Sequence, residues 1–325
     1  MNYRFDADLA PYVAMLAAPD PEDLAGNRQL MDYVAGQLGD YPTARGVTAE
    51  DRLIDGPAGP ASVPIRSYRP ADGQPGRPVL IYLHLGGFTC GSVDILHPMS
   101  QRMADELDAV VVSVDYRLAP EAPFPAGLED CYAALEWVAG HAAELGADPS
   151  RLAVVGDSSG GGLAAALALL ARDRQGPAIA LQVLGFAQLD DRLDTVSARE
   201  FTDTPMWTRH GAQVSWRHYL GAGRPGGPDV SQYAAPARAG ELAGLPPAFI
   251  SACEYDPFRD EDLAYGQRLV QAGVPVELHL YPGTFHACTA IEQAAVSRRM
   301  VADQLAALLR ALHPADQQVA EQLPS

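Results

Sequence analysis

The sequence predicts an α/β fold built on a doubly wound, mostly parallel sheet, and three observations carry that expectation. From about residue 78 onward, short apolar runs alternate with helical stretches, the pattern of repeated strand–helix units. The runs are rich in Val, Ile and Leu and scarcely alternate with polar residues, as suits strands covered on both faces. Two further β-type runs precede them, so eight strands are expected in all.

Taken in order, residues 1–45 carry Leu9, Tyr12, Val13 and Leu16, an i, i+3, i+4, i+7 stripe that predicts an amphipathic helix. "VTAEDRLI" and "VPIRSYRP" read as leading strands, antiparallel at the sheet's edge. "PVLIYLH", "AVVVSVDY", "RLAVVGDS", "IALQVLGF", "PAFISACEYD" and "VELHLYP" are the six strands of the parallel body. "GLEDCYAALEWVAGHAAEL" and "DEDLAYGQRLVQAG" are helices between them. Residues 188–240 interrupt the alternation with a long, turn-rich segment holding Phe201, Trp207, Trp216, Tyr219 and Tyr233. Such a segment is either a lid or binding element, or a helical insertion with its own small core. The core then spans 46–187 and 241–314, and the polar tail 315–325 is expected to be flexible.

Composition narrows the function classes. Asp and Glu number 41 against 23 Lys and Arg, a formal charge of −18 over 325 residues. That surface repels phosphate backbones and anionic lipid, so nucleic acid and membrane are poor partners. Cys90, Cys131, Cys253 and Cys288 form no CxxC, which fits free thiols in a reducing cytoplasm. The opening "MNYRFDADLAPYVAML" lacks a basic region followed by an apolar core, so no signal peptide is expected. The apolar stretch Leu163–Ala171 is far shorter than the roughly 20 residues that span a bilayer. A soluble, cytoplasmic protein is the expectation.

The chemistry centres on "RLAVVGDSSGGGLAAALALLA", residues 151–171. "GDSSG" satisfies G-x-S-x-G at the end of a strand and the start of a helix, the context that a nucleophile elbow demands. Its glycines allow a tight turn that lifts the Ser158 hydroxyl. Three rival readings fail. A chymotrypsin-type serine needs a β-barrel with its histidine upstream, and a P-loop needs GK followed by Ser or Thr. Gly160, Gly162 and Ala165 match G-x-G-x-x-A, but they fall inside the helix start, and no acid ends the next strand at the usual distance.

A serine hydroxyl needs a base, and in this architecture the partners follow in the order Ser, acid, His. Asp256 ends the strand "PAFISACEYD", and His286 lies in the loop after the strand that follows. Among the other histidines, His279 sits within a strand, His210 and His218 precede the acid, and His313 is close to the tail. The loop "LHLGGFTCGS" after an early strand supplies Gly86 and Gly87 as candidates for an oxyanion hole.

These stretches together resemble the hormone-sensitive-lipase group of α/β-hydrolases, including bacterial family IV carboxylesterases. "HLGGF" looks like that group's HGGGF, "DYRLAPEAPFPA" like its DYRLAPE-x-PFPA, and "GDSSGG" like its GDSAGG. "DPFRDE" and "YPGTFH" match its acid and histidine loops, and the likeness runs from about residue 47 to 312. The resemblance implies an α/β-hydrolase fold with Ser158 as nucleophile, Asp256 as orienting acid and His286 as base. It implies oxyanion donors at the amides of Gly86, Gly87 and Ser159. It also implies a helical cap, made of residues 1–45 and 188–240, over a pocket lined by Leu85, Phe88, Trp207 and Trp216.

Two residues depart from the group's pattern. Ser159 stands where alanine is usual and keeps its N–H, and Leu85 replaces the first glycine of HGGG. Leu85 is expected at negative φ, with its side chain crowding the pocket. The implied activity is hydrolysis of a small-molecule ester, with self-association into a homodimer left open. No metal or organic cofactor is expected, since no pattern such as H-E-x-x-H occurs. Acyl transfer or ring closure by the same serine is the alternative, and a non-catalytic small-molecule receptor is a third.

Overall fold

The computed structural model describes residues 3–16, 18–57, 59–221 and 224–313. The tail expected from 315 lies outside the described residues. Eight strands form one sheet: β1 Val47–Gly56, β2 Gly59–Pro70, β3 Arg77–Leu83, β4 Val110–Val114, β5 Ala147–Asp157, β6 Leu181–Gly185, β7 Ala248–Tyr255 and β8 Val276–Phe285. Their spatial order is β1-β2-β4-β3-β5-β6-β7-β8. β1 pairs antiparallel with β2 and β2 antiparallel with β4, while every other pairing is parallel. The expected mostly parallel sheet with an antiparallel leading edge is therefore present.

The lack of polar alternation in the strands has a direct cause. On β3, Val79, Ile81 and Leu83 enter one core while Leu80 and Tyr82 enter the other. Likewise β5 sends Leu152 and Val154 to the first and Ala153 and Val155 to the second. Helices Ala126–Gly140, Ser159–Arg174 and Arg259–Gln271 close the first core, and His97–Glu106 and Ala295–Leu312 close the second. Both faces of the central strands are dry, so both parities there must be apolar. Among the described residues no helix is long and apolar enough to cross a membrane.

The segment after β6 holds helices Val196–Glu200 and Arg209–Leu220, opened by Thr195 and Thr208, whose side chains accept from Ala198 N–H and Gly211 N–H. Near the N-terminus, Asp23 caps the helix Leu24–Gln37 through Gly26 N–H. The Leu9–Leu16 stripe faces the protein as expected, with Leu9 buried and Tyr12, Val13 and Leu16 packed against Phe285 and its neighbours. Its helix, however, is the single turn Ala10–Val13. Beyond it, Met15 and Leu16 bond three residues back, to Tyr12 and Val13, so the chain tightens instead of propagating an α-helix.

Parallel strands bring their C-terminal ends to one edge. Leu83 lies beside Gly156, Asp157 beside Gly185, and Tyr255 beside Phe285. The loops after β3, β5, β7 and β8 therefore emerge together, where α/β folds place their sites.

Candidate active site

β5 ends at Asp157 and the next helix begins at Ser159, so Ser158 makes the turn alone. It does so at φ 55° and ψ −121°, a conformation that costs a residue with a side chain about 1–3 kcal/mol. Hydrogen bonds on both sides hold it there. Its N–H donates to the Gly185 carbonyl at 2.8 Å, and its carbonyl accepts from Gly162 N–H and Gln188 N–H, both at 3.0 Å. The flanking glycines are sterically required. A Cβ on Gly156 would lie 2.1 Å from the Gly160 oxygen, and one on Gly160 would lie 2.1 Å from the Leu83 oxygen. Close helix–strand packing and a raised hydroxyl are thus two results of one turn.

The structure brings the Ser158, His286 and Asp256 side chains together. His286 Nε2 is 2.9 Å from Ser158 Oγ, and Nδ1 is 2.7 Å from Asp256 Oδ2. A carboxylate only accepts, so Nδ1 carries the proton and Nε2 is free to accept from the serine. The other Asp256 oxygen accepts from Phe258 N–H at 2.9 Å. Phe186 and Phe258 meet the imidazole edge-on at 5.0 and 5.5 Å, and Trp207 stacks on it at 5.8 Å. Three rings therefore fix the imidazole plane and keep water away. Ser158 and His286 are only 2% and 5% exposed.

The peptide planes of the three candidate oxyanion donors are pinned from behind. The Leu85 carbonyl accepts from His84 Nδ1–H at 2.8 Å, and the Gly86 carbonyl from Thr89 and Cys90 N–H at 3.1 and 3.0 Å. In a trans peptide the N–H points opposite the C=O. The amides of Gly86, Gly87 and Ser159 are accordingly turned away from these bonds. Among the described residues, none accepts a hydrogen bond from any of the three. Gly86 and Gly87 adopt φ of 133° and 60°, and a Cβ on Gly86 would lie 2.0 Å from the Cys90 oxygen. Leu85 is not among the residues of positive φ, so the loop accommodates it in ordinary backbone.

Two of the four expected pocket residues, Phe88 and Trp216, pack in the core cluster. Trp216 has no exposed surface and packs on Phe88 at 5.4 Å, while Phe88 stacks on Tyr219 at 3.9 Å. Their rings pack between the helix Arg209–Leu220 and the loop after β3. Of that set, Trp207 lies with its ring against His286, and Leu85 is half-buried.

Sequence reasoning missed the supports. His84 is held neutral, because burial pushes its pKa down to about 4. Tyr116 stacks on it at 4.1 Å and donates from its hydroxyl to the His84 carbonyl at 2.7 Å. Arg117 anchors the same stretch on buried Asp130 with bonds of 2.8 Å. "DYRLAPE" is thus the buttress of the loop that carries the candidate donors Gly86 and Gly87, a role its letters alone do not announce.

Asp157, beside the serine, accepts from Tyr82 Oη–H at 2.9 Å, and burial raises its pKa to about 6. In the unfolded chain it ionises above about pH 4, whereas the folded carboxyl keeps its proton to about 6. The stability present at low pH is therefore lost as pH rises through that window. Asp157→Asn is expected to leave stability unchanged near pH 4 and raise it at pH 7 by on the order of 2 kcal/mol. Urea melts at the two pH values check this, and equal shifts at both would contradict it.

Comparison with known proteins agrees with this fold. The profile of a family described as having the alpha/beta hydrolase fold matches residues 80–290. The chain is 41% identical over 271 residues to carboxylesterase NlhH of Mycobacterium tuberculosis, covering 81% of this chain and 83% of that one. It is 44% identical over 229 residues to esterase LipI of the same species, covering 70% and 71%. A bacterial heroin esterase superposes with a TM-score of 0.90 at 45% identity, covering 95% of this chain and 98% of that structure. Fold, motif order and these likenesses converge: the chain belongs to the α/β-hydrolase fold family, in its hormone-sensitive-lipase-like group.

Proposed function

We propose that the protein is a serine carboxylesterase that hydrolyses small-molecule carboxylic esters through an acyl-enzyme on Ser158. The observation that carries this reading is the unbroken Ser158–His286–Asp256 chain, at 2.9 and 2.7 Å, beside three unengaged backbone amides. The names of its relatives, carboxylesterase and esterase, support the same reaction class.

His286 Nε2 takes the hydroxyl proton as Ser158 Oγ attacks the ester carbonyl. The imidazolium formed is stabilised by Asp256, which also fixes the tautomer. Negative charge grows on the carbonyl oxygen and is met by the amides of Gly86, Gly87 and Ser159, already oriented before the reaction begins. The imidazolium then protonates the leaving alcohol. Water repeats the cycle on the acyl-enzyme, releasing the acid and restoring the serine. Four buried free cysteines support a reducing, cytoplasmic setting for this chemistry. Burst kinetics with p-nitrophenyl acetate and butyrate test the two-step scheme; no turnover of either would count against it.

Residues 1–45 and 188–240 act in this reading as the cap, and Trp207 is its point of contact with the acyl group. Its ring stacks on His286, and a Cβ on Gly87 would come within 2.8 Å of it. Trp207→Ala is therefore expected to open the acyl side. Its kcat/KM for p-nitrophenyl octanoate relative to acetate should rise roughly tenfold. An equal fall on every chain length would make Trp207 a packing residue only.

A further inference from the structure

In the oxyanion loop, the carbonyls of Leu85, Gly86, Gly87, Phe88 and Thr89 each accept a hydrogen bond, so no peptide plane between them is free to turn. The bonds to Leu85, Gly86 and Phe88 come from His84, from Thr89 and Cys90, and from Ala119 N–H at 2.9 Å. The remaining two come from the segments read above as cap. Arg28 Nε–H, on the helix Leu24–Gln37, donates to the Thr89 carbonyl at 2.8 Å. Ser215 Oγ–H, on the helix Arg209–Leu220, donates to the Gly87 carbonyl at 2.8 Å.

Ser215 is the more consequential of the two. It is buried, and its single proton goes to Gly87, nearer than the alternative acceptor Gln188 Oε1 at 3.3 Å. Its oxygen accepts in turn from Gln188 Nε2–H at 3.1 Å. Gln188 is itself fully buried, and its backbone N–H is one of the two donors on the Ser158 carbonyl. A continuous path thus runs from the Ser158–Ser159 peptide through Gln188 and Ser215 to the Gly87–Phe88 peptide. It joins the two halves of the oxyanion hole, which meet nowhere in sequence. Because the Ser215 hydroxyl proton is already engaged with Gly87, Ser215 is not a donor to substrate.

Resting on the serine-esterase reading, we propose that Ser215 is a positioning residue that sets the oxyanion-hole geometry by holding the Gly87 carbonyl. Without the hydroxyl, that carbonyl loses its buried partner and the Gly87–Phe88 plane is released. The Gly87 N–H belongs to the adjoining Gly86–Gly87 plane, which keeps its bonds from Thr89 and Cys90 but loses the brace on its other side. A displacement near 1 Å at such a donor costs about 100-fold in rate.

The test compares wild type, Ser215→Ala and Ser215→Thr in p-nitrophenyl butyrate turnover and in binding of an aryl trifluoromethyl ketone. That ketone adds to Ser158 Oγ: a carbon–oxygen bond forms, the serine proton passes to His286, and the former carbonyl oxygen becomes the anion in the hole. Ser215→Ala is expected to lower kcat about 10- to 100-fold with KM changed less than about twofold. It should weaken the ketone by a similar factor and leave the midpoint of the pH–rate profile in place, because His286 and Asp256 are untouched. Ser215→Thr, which restores a hydroxyl, should recover most of the loss. Wild-type kcat and ketone affinity in the alanine variant would overturn the proposal. So would a loss shared by kcat and KM that threonine does not rescue, the mark of a packing role alone. Ser158→Ala in the same assay separates the two readings. Full turnover there defeats the serine mechanism itself, whereas an inactive Ser158→Ala beside a fully active Ser215→Ala defeats only the positioning role.

Discussion

Replacing Ser158 by alanine is expected to lower ester turnover by about 10^5- to 10^6-fold, with the thermal melt almost unmoved. The size of the effect follows from the arrangement around the hydroxyl. With Oγ gone there is no serine oxygen to attack the ester, so no acyl-enzyme can form. The residual rate belongs to the oxyanion amides and to binding alone. The small effect on stability follows from the backbone. Alanine meets the same positive φ as serine, 55°, and the bonds to Gly185, Gly162 and Gln188 involve only main-chain atoms. Turnover of p-nitrophenyl butyrate alongside a calorimetric melt checks both halves. A variant that loses activity by unfolding would show it in the melt.

The next largest effect is expected from Asp256→Asn, about 10^4-fold in kcat/KM. Here the second contact of the carboxylate decides the outcome. One oxygen is committed to Phe258 N–H at 2.9 Å, which the asparagine can satisfy only with its own oxygen. The amide NH2 is then left facing His286 Nδ1, where the carboxylate oxygen stood 2.7 Å away. Two donors cannot share that bond, so the imidazole moves its proton to Nε2 and can no longer accept from Ser158. Geometry is preserved and the tautomer is wrong. A loss smaller than tenfold in steady-state kinetics would mean that Asp256 does not control the imidazole.

Strand-level architecture was legible because it depends on local composition. Runs such as "PVLIYLH" must be apolar at every position once both faces of the sheet are covered, and that pattern needs no knowledge of tertiary contacts. Ser158, Asp256 and His286 were legible for a related reason. Each follows a strand in a fixed chain order, and parallel strands deliver them to one edge.

What the letters did not show was decided by partners far away in sequence. The stripe at Leu9–Leu16 faces the core, yet its helix stops after one turn as the chain tightens. Phe88 and Trp216 meet each other across 128 residues and pack in the core beneath the loop, a contact neither local stretch announces. Ser215 is a single serine in an amphipathic helix, and nothing nearby distinguishes it from a solvated one. Its importance comes from Gly87, 128 residues earlier. Supports of this kind carry no local signature, whereas the groups they position do.

The most direct measurement is stoichiometric labelling by a fluorescent alkyl phosphonate, followed by mass spectrometry of the labelled peptide. The phosphonate carries a p-nitrophenyl ester: Ser158 Oγ bonds to phosphorus as p-nitrophenolate leaves, and the serine proton passes to His286. The phosphoryl oxygen sits in the oxyanion hole, so one reaction tests serine, base and hole together. The account predicts one label per chain, on Ser158, and none on the Ser158→Ala protein. A label on any other residue, or equal labelling of the alanine protein, would contradict it.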